Sequence, residues 1–302
     1  LHINGDADIK GTMNFYDNSE FIIRSNSLVN LNNGQIVLHD NAKLIIEDYA
    51  TVENINISGS GEIILMGNNI TLQNGVFNIP VQIDKNVKIK GNTTFYTVSI
   101  AQGIQIEGGA DGTTLNLQEA CAIEPGVTFT NLTNNGDGGV FYTLDEPFSI
   151  EQVHFINTNC KLISDSADVH VQNCTFNGSA LYLGQMHMRA SSCTVKNSSF
   201  TNTLAQEVLR IDAFKSFVIS DNVFENNMGT AIAIYKSGES SLRGKLIENN
   251  LIHSNQKRGT AKGILIYASV ADIHNNTIFN NDYGIALYHN SNVSIRGDNH
   301  SI

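Results

Sequence analysis

A nine-residue motif that recurs along the second half of the chain restricts the fold more than any other feature. "IHNNTIFNN", from Ile273 to Asn281, places four asparagines around two isoleucines and a phenylalanine. The same register recurs in "IEQVHFINT", "VQNCTFNGS", "VKNSSFTNT", "ISDNVFENN" and "IENNLIHSN", each with an apolar anchor at its sixth position. Successive anchors are 21, 24, 24, 28 and 26 residues apart, and a period of about 25 residues is typical of a solenoid. The anchors are Phe155, Phe176, Phe200, Phe224, Ile252 and Ile278.

Short alternating segments accompany the motif in every repeat. Strings such as "ALYLG", "VLRID", "AIAIY", "GILIY" and "GIALY" alternate between core and outward positions, which predicts several β-strands per repeat and no helix. The first half of the chain keeps this rhythm with looser spacing, in "KLIIED", "EIILMG" and "NVKIKG". We therefore expect a single domain over residues 1–302, with irregular coils in 1–147 and regular, asparagine-rich coils in 148–302.

Leucine-rich repeats are the main alternative, because they share this period and also carry an asparagine ladder. Their asparagine comes three residues after the last leucine of the strand, whereas here it comes two residues after the strand residue. A second alternating segment also stands where a leucine-rich repeat has its convex helix. Both differences favour a solenoid made of strands alone.

The "G-I-x-L-Y … I-x-N-N-x-I-x-N-N" coils resemble the right-handed parallel β-helix superfamily, the pectate-lyase-like fold, most clearly from about residue 148 to 295. The resemblance implies an all-β fold, a right-handed parallel β-helix solenoid of about 12 coils. We expect the six anchors to stack inside it. We also expect a corner ladder with side chains turned inward, formed by Asn197, Asp221, Asn249 and Asn275.

Composition and charge narrow the function classes. The net charge of −11 disfavours nucleic acid and anionic membrane surfaces as partners, and no apolar run is long enough to insert into a membrane. Cys121, Cys160, Cys174 and Cys193 allow three full pairings, but a large solenoid core favours buried free thiols. Neither the cysteines nor the histidines have the spacing of metal ligands, so we expect no metal and no cofactor. The chain begins at Leu1 and ends within a repeat, so we expect it to be a piece of a larger product. We also expect that product to be extracellular or on the cell surface.

The resemblance to polysaccharide-cutting enzymes directs attention to catalytic groups. The N-T-D, D-D, G-H-G and R-I-K motifs of the pectin-degrading hydrolases do not occur in the sequence. The nearest candidates for a lyase are a cation and a phenol that face outward on neighbouring strands. Arg210 and Asp212 also have the spacing of an ordinary surface ion pair. The weak catalytic candidates are Lys161, Tyr182, Arg210 and Asp212.

A column of tyrosines is the best candidate for ligand binding. Strand alternation turns Tyr235, Tyr267 and Tyr288 outward on adjacent coils, where they are expected to form a flat aromatic strip. Lys236 and His289 follow two of these tyrosines, and insertions at 236–244 and 254–262 border the column. The alternative is that the rings only stabilise neighbouring coils.

These observations leave three function classes open. We favour a non-catalytic glycan-binding or adhesive module, with a polysaccharide or surface glycan as partner. A polysaccharide lyase or glycoside hydrolase that acts on the outer face of the β-helix is the alternative. A purely structural stalk would have no exposed aromatic groove.

Overall fold

The computed structural model describes residues 1–32, 34–132, 139–144, 147–164, 167–185, 191–237, 244–256, 259–296 and 300–301. These residues form parallel β-strands joined by turns, and the fold is an all-β solenoid of about 12 turns, as predicted. Among them, no helix has the length and apolar character that a membrane span requires.

The chain divides into two compact units. Unit 1 comprises Leu1–Phe141 and unit 2 comprises Tyr142–Ile302. The prediction of a single domain over residues 1–302 stays a prediction.

Strands three apart along unit 1 pair in parallel, so the coils build three stacks. The first stack contains β1(His2–Ile3), β4(Glu20–Ile23), β7(Lys43–Ile46), β10(Glu62–Leu65) and β13(Val81–Ile83). The second contains β2(Ala7–Asp8), β5(Leu28–Asn30), β8(Thr51–Glu53) and β11(Ile70–Gln73). The third contains β3(Thr12–Phe15), β6(Gln35–Leu38), β9(Asn56–Gly59) and β12(Val76–Asn78).

Two long strands pass through these stacks without a break. β14(Val87–Ile100) pairs with β11, β12 and β13 in turn, and β15(Gln105–Ile123) runs parallel to β14. Register shifts between Ile89 and Gly91 and between Phe95 and Thr97 mark the corners at which β14 bends. The remaining strands before the regular coils are β16(Thr128–Thr130) and β17(Gly139–Leu144).

Unit 2 has three regular stacks, which we call the back sheet, the phenylalanine sheet and the tyrosine sheet. The back sheet contains β18(Phe148–Glu151), β21(Val169–Gln172), β24(Ser192–Lys196), β27(Ser216–Ser220), β30(Lys245–Glu248), β33(Val270–His274) and β36(Asn292–Arg296). The phenylalanine sheet contains β19(His154–Ile156), β22(Thr175–Asn177), β25(Ser199–Thr201), β28(Val223–Glu225), β31(Leu251–His253), β34(Thr277–Phe279) and β37(His300–Ser301). The tyrosine sheet contains β20(Cys160–Ser164), β23(Leu181–Gln185), β26(Glu207–Asp212), β29(Thr230–Tyr235), β32(Lys262–Tyr267) and β35(Tyr283–Tyr288).

The predicted anchor stack is confirmed in the phenylalanine sheet. Phe155, Phe176, Phe200 and Phe224 are fully buried, and their rings lie parallel with centroids 4.6–4.9 Å apart. Strand pairing continues the column to Ile252 and Ile278. Each ring therefore packs on its neighbours as well as on the core, which holds adjacent coils in register.

The asparagine ladder exists, but the prediction of its residues was wrong by one position. Asn249 is exposed and adopts a left-handed backbone conformation, with φ of 54°. The next residue, Asn250, is buried; its Oδ1 accepts from the backbone N–H of Asn222, 3.0 Å away. The predicted members therefore turn the corner and face solvent, and they are Asn197, Asp221, Asn249 and Asn275. The residues that follow them form the inward ladder, and they are Ser198, Asn222, Asn250 and Asn276.

The second asparagine pair of each motif shows the same difference between a turn residue and an inward residue. Asn226 takes the left-handed conformation, and Asn227 is buried with its Nδ2 donating to Asn255, 2.8 Å away. Asn255 in turn donates to Asn281 over 2.9 Å. One residue of the pair therefore makes the turn, because Asn tolerates positive φ, and the other satisfies backbone groups inside the corner.

Candidate functional site

The outer face of the tyrosine sheet brings together the two predicted patches. Strand pairing aligns Lys161, Tyr182 and Arg210 in one outward column. The neighbouring column contains the predicted Tyr235, Tyr267 and Tyr288, preceded by Gly184 and Asp212. Leu209 and Ile211, between the outward residues of β26, are fully buried, so alternation along the strand decides which side chains reach the surface.

Arg210 lies at the centre of this face. Its guanidinium carbon is 4.5 Å from the ring centroid of Tyr235 and 5.3 Å from that of Tyr182. The cation is therefore placed between two aromatic rings, an arrangement in which each ring face attracts the charge. Lys161 adds a second cation on the other side, with its Nζ 5.2 Å from the centroid of Tyr182.

Two carboxylates hold the guanidinium in place. Arg210 donates through Nη2 to Asp212 Oδ2, 2.9 Å away, and through Nη1 to Glu207 Oε2, 3.2 Å away. The hydroxyl of Tyr235 donates to the other oxygen of Glu207. Arg210 and Asp212 thus form the ion pair that the sequence suggested as the alternative to a catalytic role, and Glu207 extends it to a network.

Sequence reasoning missed Glu207. Strict alternation from Arg210 assigns Glu207 to the opposite face of the strand, because the two are three residues apart. Val208 and Leu209 are instead both fully buried, and Glu207, as the first residue of β26, reaches the outer face. The sequence does contain a signal that could have identified Glu207: it is a carboxylate at the end of a strand, close to an arginine that faces outward.

The network sets the protonation states of its members. Partial burial, followed by the hydrogen bond to Glu207, raises the pKa of the Tyr235 hydroxyl well above its usual value of 10.0. Burial and the charge of Asp212 raise the pKa of Tyr182. Burial acts to lower the pKa of Arg210, but the hydrogen bond to Asp212 and the nearby carboxylates outweigh it, so that pKa is raised. Both phenols therefore stay protonated and the guanidinium stays charged near neutral pH.

The aromatic column continues beyond Arg210, but it is not flat. The rings of Tyr235 and Tyr267 are 5.6 Å apart and tilted by 39°, and that of His289 lies 4.4 Å from Tyr267 with a tilt of 45°. Tyr288 pairs with Tyr267 along the strands and is 47% exposed, yet His289 is the residue that packs on Tyr267. The expectation of coplanar stacked tyrosines was therefore wrong in this detail, because the corner residue turns its ring back over the previous coil.

Lys236 and His289 occupy the same corner of their coils. Both have left-handed backbones, with φ of 45° and 53°, and both are exposed. In other coils this corner is taken by Ala213 and Ala268. The insertions predicted to border the column lie partly outside the described residues, at 238–243 and 257–258.

Five planar groups from consecutive coils thus form one line, which we call the planar row. It crosses from the column of Tyr182 and Arg210 to the neighbouring column of Tyr235 and Tyr267 as the coils stack, and Glu207 and Asp212 flank it. The members of the planar row are Tyr182, Arg210, Tyr235, Tyr267 and His289.

The described residues give little support for a metal site or for a reactive cysteine. No three His, Cys, Asp or Glu side chains among them are grouped as a metal ion requires. All four cysteines are free thiols; Cys160, Cys174 and Cys193 are buried, as expected, whereas Cys121 is only partly buried. Burial raises the pKa of Cys121 to about 12 and that of Cys174 to about 11, which disfavours the reactive thiolate form.

Comparison with known proteins gives one match. The family model described as "Right handed beta helix region" matches residues 85–247, which is more than half of the chain. No curated protein and no solved structure matches significantly. The matched region includes Tyr182, Arg210 and Tyr235 and ends before Tyr267 and His289.

Proposed function

The chain belongs to the family of right-handed β-helix regions, and on that premise we propose that unit 2 is a non-catalytic glycan-binding module of an extracellular or cell-surface protein. The planar row is its binding surface, and an extended neutral polysaccharide is its ligand. The observation that carries this proposal is the unbroken line Tyr182–Arg210–Tyr235–Tyr267–His289 on a half-exposed sheet face.

The dimensions and chemistry of the planar row support an extended sugar chain. Coils repeat about every 4.8 Å, so five consecutive coils offer a line of about 19 Å. The row offers a sugar chain apolar side-chain surface to pack against, while the sugar hydroxyls need hydrogen-bond partners. Glu207 and Asp212 lie beside the row and have carboxylate oxygens that accept such bonds.

Charge favours a neutral ligand over an acidic one. Arg210 is neutralised by two carboxylates, and the protein as a whole carries a net charge of −11, which repels polyanions. A uronate would need a cation other than Arg210, whose charge two carboxylates already balance.

The same contacts weigh against a lyase. A lyase needs a base that removes a proton beside a carboxylate and a cation that neutralises that carboxylate. The raised pKa values of Tyr182 and Tyr235 oppose formation of a phenolate base, and Arg210 already has two acidic partners.

Calorimetric titration with neutral polysaccharides tests the proposal. Replacing Tyr267→Ala removes the ring between Tyr235 and His289, and we expect affinity to fall about tenfold, equivalent to about 1.4 kcal/mol. Tyr267→Phe keeps the ring and is expected to bind as the parent does. Because Tyr267 is only partly buried, the melting temperature of either variant should change little.

Tyr16→Ala is the matched control, because Tyr16 is an exposed tyrosine of unit 1 that is not a member of the planar row. If Tyr267→Ala lowers the melting temperature and leaves binding unchanged, the row only stabilises the coils. If the protein instead cleaves an acidic polysaccharide and Arg210→Ala abolishes the cleavage, the lyase alternative is correct.

A further inference from the structure

A corner of unit 1 contains a tyrosine where neighbouring coils use small or turn-forming residues. After β4, β7 and β10 of the first stack, the chain turns through one residue with a left-handed backbone, and Tyr49 has this conformation with φ of 59°. Its backbone N–H donates to Asn68 of the next coil, 3.2 Å away, as Asn69 donates to Asn86. The equivalent residues of other coils are Asn26, Asn69, Gly103 and Gly126.

Tyr49 is poorly suited to this corner as a structural residue. A bulky side chain at positive φ is sterically strained, whereas Asn and Gly accept the conformation readily. Its side chain is 60% exposed, so it gains little from burial in return. Its hydroxyl makes no hydrogen bond to any described residue. A strained and exposed aromatic residue points to binding rather than folding.

A groove of about 260 Å³ begins at this ring. It crosses four consecutive coils, from Tyr49 through Asn69 and Asn86 to Gln105, whose amides are all exposed. Val87 also borders the groove, but it is only 3% exposed and belongs to the core. The charged residues of the groove are Lys88 and Glu107, which pair with each other over 3.9 Å and leave it without a net charge.

We propose that this groove is a second saccharide-binding site, which takes a short neutral oligosaccharide. Tyr49 supplies the face on which one sugar ring packs, and the amides of Asn69, Asn86 and Gln105 bond to hydroxyls of the following rings. The paired charges give the groove no preference for an acidic sugar. The proposal rests on unit 1 alone and does not depend on the planar row of unit 2.

Titration calorimetry on the full chain separates the two sites. The probes are neutral hexasaccharides of β-1,4-linked glucose, mannose or xylose, and the starting protein is Tyr267→Ala, in which the planar row is impaired. We expect this protein to retain binding of at least one probe, and Tyr49→Asn in the same background to weaken that binding at least tenfold. Tyr49→Phe is expected to retain it, and Tyr16→Ala serves as the control for loss of an exposed tyrosine.

Thermal stability is a second measurement, and it is not expected to fall together with affinity. Asn stands at the equivalent corner in two other coils, so Tyr49→Asn should melt at the same temperature as its parent or higher while it loses affinity. The proposal is wrong if Tyr49→Asn binds every probe as its parent does, or if none of the three probes binds before Tyr49 is changed. Each single variant is also compared with the unchanged protein. If Tyr267→Ala removes the binding and Tyr49→Asn does not, the planar row is supported and the groove is rejected. If Tyr49→Asn removes the binding and Tyr267→Ala does not, the groove is supported and the planar row is rejected.

Discussion

In unit 2 the asparagine ladders run inside the corners, whereas in unit 1 comparable asparagine pairs lie on the surface. Asn222, Asn250 and Asn276 are at most 1% exposed. Each forms hydrogen bonds to an asparagine side chain and to a backbone carbonyl of neighbouring coils. In unit 1, Asn116 donates to Asn92 over 2.6 Å at an exposed position. The residue type is the same, but its surroundings differ.

The difference teaches where an asparagine ladder contributes to stability. A buried amide that loses its partner has no water to replace it, so the full cost of desolvation remains. At the surface, water takes the place of the lost partner, and little changes. Unit 2 should therefore depend on its ladder residues, and unit 1 should tolerate their replacement.

The largest effect is expected from the aromatic stack. Phe200 lies between Phe176 and Phe224 with centroids 4.6 and 4.7 Å away, whereas Phe77 of unit 1 has the ring of Phe95 on one side and Ile57 on the other. Phe200→Ala should lower the free energy of unfolding by about 3–5 kcal/mol, the usual cost of a buried cavity of this size. Urea denaturation measures it, and Phe77→Ala is the comparison in unit 1. A smaller loss for Phe200→Ala than for Phe77→Ala would show that the longer stack adds nothing.

The ladder itself should give the next largest effect. Asn250→Leu removes the acceptor of the buried Asn222 N–H and the donor to Ile219, so we expect a loss of about 1–3 kcal/mol for each buried group left unpaired. Asn116→Ala breaks an exposed pair in unit 1 and should cost less than about 1 kcal/mol. Comparable losses for these two variants in urea denaturation would contradict the distinction between the units.

The two members of one asparagine pair can be compared directly. Asn249→Gly keeps a residue that accepts positive φ and removes only an exposed side chain, so stability should stay within about 0.5 kcal/mol. Asn250→Gly removes the inward amide and should be clearly destabilising. If thermal unfolding shows the reverse order, the turn residue, and not the inward one, carries the ladder.

The smallest effect concerns the pH dependence of unit 2. The pKa of Tyr235 is raised in the folded protein, first by partial burial and then by its bond to Glu207. Stabilisation from this group is therefore complete below the unfolded pKa of about 10 and is lost as pH rises through the folded pKa. Tyr235→Phe should flatten the decline in melting temperature above pH 10. An identical decline in both proteins would mean that Tyr235 does not contribute to it.

Much of the fold was predictable because it depends on periodicity. The anchors repeat at nearly constant spacing, so their burial and stacking follow from the requirement that each coil packs on the last. The outward direction of Arg210 and Tyr235 was predictable for a similar reason, since strand alternation turns every second side chain away from the core. Alternation did not decide exposure, because Ala233 and Leu265, which continue the Arg210 column, are buried. Glu207 was not predicted because it lies at the end of a strand, where alternation no longer decides which way a side chain points.

The sequence by itself determined the period, the strand register and the residues available for the planar row, because these follow from alternation and from repeats of similar length. Only the tertiary structure decided which asparagine of each pair turns inward, since two adjacent residues of one type differ in backbone φ and not in pattern. It also decided that Arg210 lies between two rings and that His289, rather than Tyr288, packs on Tyr267. Those contacts depend on how each corner directs its side chains toward the next coil, and that direction is set by neighbours distant in the chain.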